Sequence, residues 1–255
     1  MKFVPKVPRR TAEISTGVKD WPTFLKSALS IGLSLLFVYL ALGWTADIVS
    51  LYKPDRYEVR LFSWLKREPG KDEQELAQAR RVFVEMVGQP GLRKLPYRLS
   101  MTKSKDPNAF AFPGGGVALT SGLLQEIRTD AGLALVIGHE LGHHQHRDAM
   151  RGVGRGLLLQ IAMSIFFGDG ANTPAAQAIL KTAESRHSRK QERRADEFGL
   201  KLAHSTFGHQ EGELKFFEIL LKEKKLKNSR WASFMASHPY VGSRIEHLKE
   251  IEKKP

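Results

Sequence analysis

The chain of 255 residues has 42% apolar and 26% charged residues, which favours a folded domain over wholesale disorder. It contains no cysteine, so disulfide bonds, thiolate metal sites and a cysteine nucleophile are excluded, and any tight transition-metal site must use His, Asp and Glu. A net charge of +13 is spread along the chain without a zinc-finger or basic-zipper pattern, so we favour a solvated or lipid-facing basic surface and expect no nucleic-acid partner.

The first predicted element is a transmembrane anchor at residues 27–46, with the lipid bilayer as its partner. The stretch carries no charged residue, and a helix of this length spans about 30 Å, the thickness of a bilayer's hydrocarbon core. The preceding residues 1–26 are basic, so the positive-inside rule places them in the cytoplasm and the rest of the chain on the far, periplasmic or equivalent, side. A cleaved signal peptide is the main alternative. Its apolar run is usually shorter and ends at an A-x-A site that is not evident here, so we predict a retained single-pass anchor.

The rest of the chain is predicted to form a juxtamembrane connector, residues 47–70, and one domain, residues 71–253. The connector ends at the turn-forming pair Pro69-Gly70. Apolar spacing and turn residues then predict the first elements of the domain, which are a helix over 71–87, a strand at 97–101, a polar turn at 103–108 and a strand at 110–120.

The second half of the domain is predicted to be helical. Thr129 caps a helix that runs to about His146, and Ser188 with Gln191 forms a capping-box pattern that begins a helix to about Ala203. Further helices are predicted from Thr173-Pro174, near 211–224 and at 241–252, and the apolar stretch 156–168 is predicted to be a buried or membrane-grazing helix.

The sequence His-Glu-Leu-Gly-His at 139–143 is the central chemical feature. Residues four apart share a helix face, so the imidazoles of His139 and His143 can bind one cation. Glu140 lies beside the first histidine, where its carboxylate can act as general base on an attacking water without binding the metal. Such a short pattern occurs by chance, but the apolar residues 131–138 predict a buried helix, in which unpaired His and Glu would be costly. A bound cation removes that cost.

A catalytic zinc needs a third protein ligand and one open position. His146 lies too far from His139, about 10 Å along the helix. Glu192 is the better candidate, and Asp196 lies four residues further on, hence on the same helix face. One of the two carboxylates can bind the metal while the other accepts the second N–H of a ligand histidine such as His139. The alternative is that the two acids lie on an exposed helix and form salt bridges. That alternative is favoured when the acids are considered alone, but metal binding is favoured once the motif at 139–143 is taken into account.

Four stretches resemble the HtpX- and Oma-type membrane-associated zinc endopeptidases, which are related to the CAAX prenyl proteases. They are, in the family's order, NAFAFPGGGVALTSGLL at 108–124, GHELGH at 138–143, ERRADEFG at 192–199, and SHP at 237–239 followed by Arg244. The resemblance covers roughly residues 70–252. It implies an α+β, mainly helical, zincin-like (gluzincin) domain with a small edge-strand sheet, here preceded by one transmembrane helix. It also implies one Zn²⁺ ion per chain, with Glu192 as the third ligand.

The same resemblance implies which residues bind substrate. The segment 108–116 would be an edge strand that holds an extended substrate by main-chain bonds, with an ordinary glycine-rich hairpin turn as the alternative. His238 would donate a hydrogen bond to the oxyanion or occupy the open metal position, and Arg244 would support the same charge or bind a substrate carbonyl. The residues implied to contact substrate are Asn108, Ala109, Phe110, Ala111, Gly114, Gly115 and Arg244.

The sequence therefore predicts a membrane-anchored zinc endopeptidase that acts on misfolded or membrane-associated proteins in envelope quality control. One alternative is a non-catalytic zinc-binding membrane scaffold or holdase, and another is a basic membrane or nucleic-acid binder with incidental histidines. A scaffold has no use for the Glu140 carboxylate and would normally close its metal site with a fourth ligand.

Overall fold

The computed structural model describes residues 21–52, 55–62, 73–154, 156, 187–210, 212–226 and 229–252. By its contacts the chain divides into two units, Met1–Ala41 and Leu42–Pro255. The predicted helix beginning at Thr173-Pro174 lies outside the described residues, as does the predicted helix 156–168 apart from Gly156.

The first described element is helix α1, Trp21–Tyr52, which begins before and ends after the predicted anchor. Within it, the window Trp21–Val38 has a mean hydropathy of 1.4 and is not buried by the rest of the protein. Among the described helices, α1 has the length and apolar composition to cross a membrane. Part of the predicted connector is also helical, because α1 continues into it and α2 follows at Asp55–Leu61.

The sheet has three strands in the order β1-β3-β2, which are β1 Arg98–Thr102, β2 Ala109–Phe112 and β3 Gly116–Thr120. The prediction of one strand over 110–120 was wrong, because that segment is a β2–β3 hairpin. Gly114 and Gly115 adopt φ values of +83° and +89° at its turn, a conformation that glycine adopts without steric cost. β1 pairs in parallel with β3, with Arg98 opposite Gly116, so β2 is left as an edge strand.

Two helices cover the sheet and complete the core. Helix α3, Glu73–Val87, confirms the predicted helix and buries Leu76, Val82 and Met86 completely at helical spacing. A short helix α4, Ser121–Glu126, follows β3 and was not predicted. Helix α5, Asp130–Gln145, is buried at every residue from Ala131 to His144. The Thr129 side chain accepts a hydrogen bond from the Gly132 amide, which confirms the predicted cap.

Helix α6, Arg189–Phe207, packs directly against α5. Ser188 and Gln191 form the predicted capping box at its start, but the helix continues four residues beyond the predicted end. A Cβ atom on Gly142 would lie 2.7 Å from the Ala195 carbonyl oxygen, and one on Gly199 would lie 2.6 Å from the His139 amide nitrogen. Only glycine at these positions permits so close a helix contact, which brings the side chains of α6 up to the histidines of α5.

The C-terminal segment is helical, with α7 at Lys215–Glu223, α8 at Ala232–Ser237 and α9 at Val241–Glu252. Helix α9 has the predicted bounds, α7 begins later than predicted, and α8 was not predicted. Phe216, Trp231 and Phe234 form a buried aromatic cluster between α7 and α8, and the Phe234 ring lies 4.7 Å from the ring of His238. This packing fixes His238 at the end of α8.

Candidate metal centre

Four buried side chains from three elements bring their donor atoms together, and we call this set the metal-centre cluster. It consists of His139 and His143 on α5, Glu192 on α6, and His238 after α8. The Nε2 atoms of His139 and His143 are 3.0 Å apart. Glu192 lies 3.7 Å from His139 Nε2 through Oε2 and 3.5 Å from His143 Nε2 through Oε1. The exposure of each residue is 4% or less, so water is largely excluded from these donors.

These separations match the spacing that a tetrahedral cation requires. With metal–ligand bonds of about 2.0–2.1 Å, tetrahedral ligand atoms lie about 3.3 Å from one another. His238 Nδ1 lies 3.2 Å from His139 Nε2 and 3.3 Å from Glu192 Oε1, so it completes a fourth corner. Nitrogen and carboxylate donors in this number suit zinc and neighbouring first-row transition metals. The residues present therefore fit the metal that the sequence predicts.

Carboxylates behind the two α5 histidines orient both rings. His139 Nδ1 donates to Asp196 Oδ1 at 2.8 Å, and His143 Nδ1 donates to Asp148 Oδ2 at 3.0 Å. When Nδ1 carries the proton, the lone pair of Nε2 is free to bind a metal ion. Both Nε2 atoms point into the cluster. The predicted partnership between Asp196 and His139 is present. Asp148 was not predicted, and it is the first helical residue after the two-residue turn that follows α5.

Arg244 is buried between the carboxylates of α6. Its Nη1 lies 2.5 Å from Glu192 Oε2, and its Nε and Nη2 donate to the Asp196 carboxylate at 2.7 and 2.6 Å. Burial is the largest influence and alone would raise the pKa of both acids, but the Arg244 charge and the contacts with neighbouring histidines together outweigh it and hold both pKa values below their ordinary range. With an exposed fraction of 0%, Arg244 is not open to a substrate carbonyl in this conformation. Its contacts make it a positioning residue for Glu192.

The pKa values of the two α5 histidines are shifted in opposite directions. Burial lowers the pKa of His139, and the charges of His143 and Arg244 lower it further. Burial would also lower the pKa of His143, but hydrogen bonds to Asp148 and Glu192 raise it to about 10. A cation that binds His143 therefore has to displace a proton, so metal uptake at this cluster releases protons.

Glu140 lies beside the cluster without joining it. Its residue is fully buried, and among the described residues neither carboxylate oxygen has a hydrogen-bond partner. The Nε2 atom of His238 lies 3.6 Å from Glu140 Oε1. An unsatisfied buried carboxylate is costly, so its retention points to a ligand or reaction that uses it.

A cleft of about 280 Å³ opens onto Glu140 and His238. One side is formed by β2 and the start of the hairpin turn, through Phe110, Ala111, Phe112 and Pro113. The exposed edge of β2 thus lies beside the metal-centre cluster, where an extended peptide can pair with it.

Other residues implied to bind substrate have structural partners. Asn108 is buried, and its side chain bonds to Ser233 and to the Ala109 amide. The Gly114 amide donates to the buried Glu58 carboxylate at 2.9 Å, and a Cβ on Gly115 would lie 3.0 Å from the Pro96 carbonyl oxygen. The implied edge strand over 108–116 is therefore correct only for Ala109–Phe112, and the glycines belong to the hairpin turn that was its alternative.

His187 is a member of the site that the sequence analysis missed. Its ring stacks on His143 with centroids 4.0 Å apart and an interplanar angle of 17°. Burial is the largest cause of its lowered pKa, and the charges of His143 and His238 lower it further, so it is a neutral ring. Its position just before the capping box gave no sequence signal, because only the tertiary fold brings it to α5.

Comparisons with known proteins agree with this geometry. The model of peptidase family M48 matches residues 73–252, which is well over half of the chain. Metalloprotease LoiP of Escherichia coli is 28% identical over 161 residues, covering 61% of this chain and 62% of the relative. A putative beta-barrel assembly-enhancing protease of Vibrio cholerae is 27% identical over 169 residues, covering 62% of this chain and 35% of the relative. The mitochondrial metalloendopeptidase OMA1 of Arabidopsis thaliana is 28% identical over 192 residues, covering 73% of this chain and 38% of the relative. The chain thus spans less than two thirds of each relative's length.

Proposed function

The chain belongs to peptidase family M48 and is a metalloprotease, and from this premise we propose that it is a membrane-anchored zinc endopeptidase. Its proposed substrates are misfolded or membrane-associated proteins. The observation that carries the proposal is the buried carboxylate of Glu140, which has no hydrogen-bond partner among the described residues and faces both the metal-centre cluster and the cleft.

We assign His139, His143 and Glu192 as the zinc ligands, with Asp196 and Asp148 holding the two rings. When bound, zinc polarises the peptide carbonyl and increases the acidity of water. Glu140 accepts the proton of the attacking water and passes it to the leaving nitrogen. One carbon–oxygen bond forms and the carbon–nitrogen bond breaks, so the products are a carboxylate and an amine without a covalent enzyme intermediate.

His238 is proposed to act on the substrate after leaving the fourth corner. The distances of 3.2 and 3.3 Å from His139 and Glu192 favour that corner over an oxyanion-binding position in this conformation. The position of His238 at the end of α8 would stay the same, and rotation of its side chain alone would free the fourth ligand position and let its N–H bind the developing oxyanion.

Apolar cleft walls define the proposed substrate class. Phe112 and Val153 are 39% and 41% exposed and line the cleft together with Phe110. Main-chain pairing with β2 requires an extended, unfolded segment but no particular sequence. An apolar side chain beside the scissile bond would fill the cleft, as found in segments that misfolded or membrane proteins expose.

Membrane attachment is proposed to follow from α1. The organisation supported by the sequence is a basic segment 1–26, an anchor 27–46, a connector 47–70 and the peptidase domain 71–253, with the N-terminus cytoplasmic. The length and composition of α1 and the family relatives support membrane association, and charge bias supports the orientation.

A non-catalytic zinc scaffold is the second candidate, because His238 supplies a fourth donor and closed four-ligand sites are typical of structural zinc. The two candidates differ in what Glu140 does. A scaffold or holdase would bind unfolded protein equally well after Glu140 is changed and would not cleave it.

The test compares purified full-length chain in detergent with Glu140→Gln and His139→Ala variants, measuring zinc content and casein digestion. We expect Glu140→Gln to retain zinc while cleavage falls by about 10²–10⁴-fold, the usual contribution of a general base. His139→Ala should lose cleavage together with the zinc bound at the metal-centre cluster. Glu246→Gln, an exposed change on α9, is the control and should be unaffected. Undiminished cleavage by Glu140→Gln would remove the assigned base.

A further inference from the structure

A second group of metal-binding side chains lies at the opposite end of α6, and we call it the distal cluster. It consists of His204, in the last turn of α6, and His209 and Glu213 in the following loop. His204 Nε2 and His209 Nδ1 lie 2.7 and 2.9 Å from the same Glu213 oxygen, Oε1, and 3.4 Å from each other. Three potential ligand atoms from a short stretch of chain therefore meet at one point.

The carboxylate at the centre of the distal cluster is buried. Glu213 is 4% exposed, and in the described part of the chain its ion pairs are with imidazoles alone. Glu252, near the end of α9, faces it. Its carboxyl group interacts with that of Glu213, so a second acidic group lies at the edge of the distal cluster. The surroundings thus favour a cation.

The donor set also suits a transition metal. The chain contains no cysteine, and two imidazoles with one carboxylate form a set found in zinc sites. The present donor separations are close to the approximately 3.3 Å of a tetrahedral site, with the two histidine–glutamate distances needing to widen by about half an ångström. The His209 side chain is 68% exposed, which allows a hydrated ion to enter and leaves a position for water.

The distal cluster is separate from the metal-centre cluster. From Glu192 to His204 the helix rises by about 18 Å, at 1.5 Å per residue. No single ion can serve both clusters.

We propose that His204, His209 and Glu213 form a second binding site for a divalent transition metal of the zinc class. The ion would join the end of α6 to the loop that follows α6. Glu252 of α9 supplies a further carboxylate at the edge of the distal cluster. Helices α6 and α9 carry Glu192, Asp196 and Arg244 at their other ends, so the distal ion has a structural role in the frame of the metal-centre cluster. The family resemblance implies one ion per chain, and this site adds a second.

Zinc stoichiometry tests the proposal directly. Untagged full-length chain in detergent is stripped with chelator and then titrated with Zn²⁺ in equilibrium dialysis. Two equivalents are expected for the unaltered chain, and one for the double variant His204→Gln/His209→Gln. His247→Gln is the matched control, because His247 also bridges α9 and α6 in a histidine–glutamate pair, with Glu197 at 2.6 Å, but has no second histidine. It should keep two equivalents.

A melting experiment separates the distal site from the catalytic one. In a His139→Ala/His143→Ala background, zinc at about a hundred times its dissociation constant should raise Tm by roughly 5–10 °C. Adding His204→Gln/His209→Gln should abolish that rise. One equivalent in the unaltered chain, or two equivalents in the distal double variant, would overturn the proposal and leave the cluster as ion pairs at a helix end.

Discussion

The metal-centre cluster and the distal cluster have the same core donors, two histidines and a glutamate, in different surroundings. The former lies between packed helices, with each donor residue at most 4% exposed and both α5 histidines held by acids behind them. The latter lies at a helix end, with the His209 side chain 68% exposed. Donor type alone therefore does not distinguish the two clusters.

The neighbours of each cluster explain the difference. Beside the metal-centre cluster, Glu140 has two carboxylate oxygens free of hydrogen bonds to the described residues, and the cleft reaches it. The nearest additional acid at the distal cluster, Glu252, interacts with Glu213 itself. A free base and a bound peptide are both needed for hydrolysis, so we expect catalysis at the first cluster and a structural role at the second.

Replacing Arg244, whose buried guanidinium pairs with Glu192, should have the largest effect on stability. Arg244→Met leaves Glu192 and Asp196 as uncompensated buried charges, so the free energy of unfolding of zinc-free protein should fall by about 3–5 kcal/mol. Zinc should recover part of the loss, because it supplies positive charge to Glu192. Denaturant unfolding followed by circular dichroism measures both quantities.

The control for this variant is Arg230→Met, which breaks an exposed ion pair with Glu126 in which Arg230 is 56% exposed. Exposed pairs contribute about 0–1 kcal/mol. If the free energy of unfolding fell equally in the Arg244 and Arg230 variants, burial would not be the reason that Arg244 stabilises the protein.

A smaller effect is expected from the acid behind His143. Asp148→Asn removes the charged acceptor that orients this ring, so zinc affinity at the metal-centre cluster should fall by about 10–100-fold. Competition with a chromogenic chelator measures this zinc affinity. The His204→Gln/His209→Gln background is used so that only the metal-centre cluster binds zinc. Asp130→Asn, at the first residue of α5 and paired with Arg81, should not change the affinity. An unchanged affinity for Asp148→Asn would refute the orienting role.

The smallest effect is expected from the distal cluster on catalysis. His204→Gln/His209→Gln should keep casein cleavage at saturating zinc within about twofold, because sites more than about 10 Å apart act almost independently. The readout is the initial rate at a temperature well below Tm. A loss as large as that of Glu140→Gln would place the distal cluster in the reaction.

Local patterns in the sequence predicted the parts of the site that depend on helix periodicity. His139 and His143 are four apart on one helix, and Ser188 marks the start of the helix that carries Glu192. Both helices have the predicted starts, because capping and apolar spacing are properties of neighbouring residues.

Contacts between distant segments could not be predicted in this way. The β2–β3 hairpin was read as one strand because Phe110–Thr120 is apolar at both ends, and the positive φ at Gly114 is a feature of the folded turn. The burial of Arg244 is not evident in the sequence, because the packing of α9 on α6 produces it. The distal cluster follows no helical spacing, because His209 and Glu213 lie beyond the end of α6.

The most direct test of the account is an anomalous diffraction measurement at the zinc absorption edge on crystals of the zinc-loaded His204→Gln/His209→Gln chain. We expect one peak within bonding distance of His139 Nε2, His143 Nε2 and a Glu192 carboxylate oxygen, about 2.0–2.2 Å from each. A zinc-loaded crystal with no peak there, or with Glu192 turned away from the ion, would contradict it.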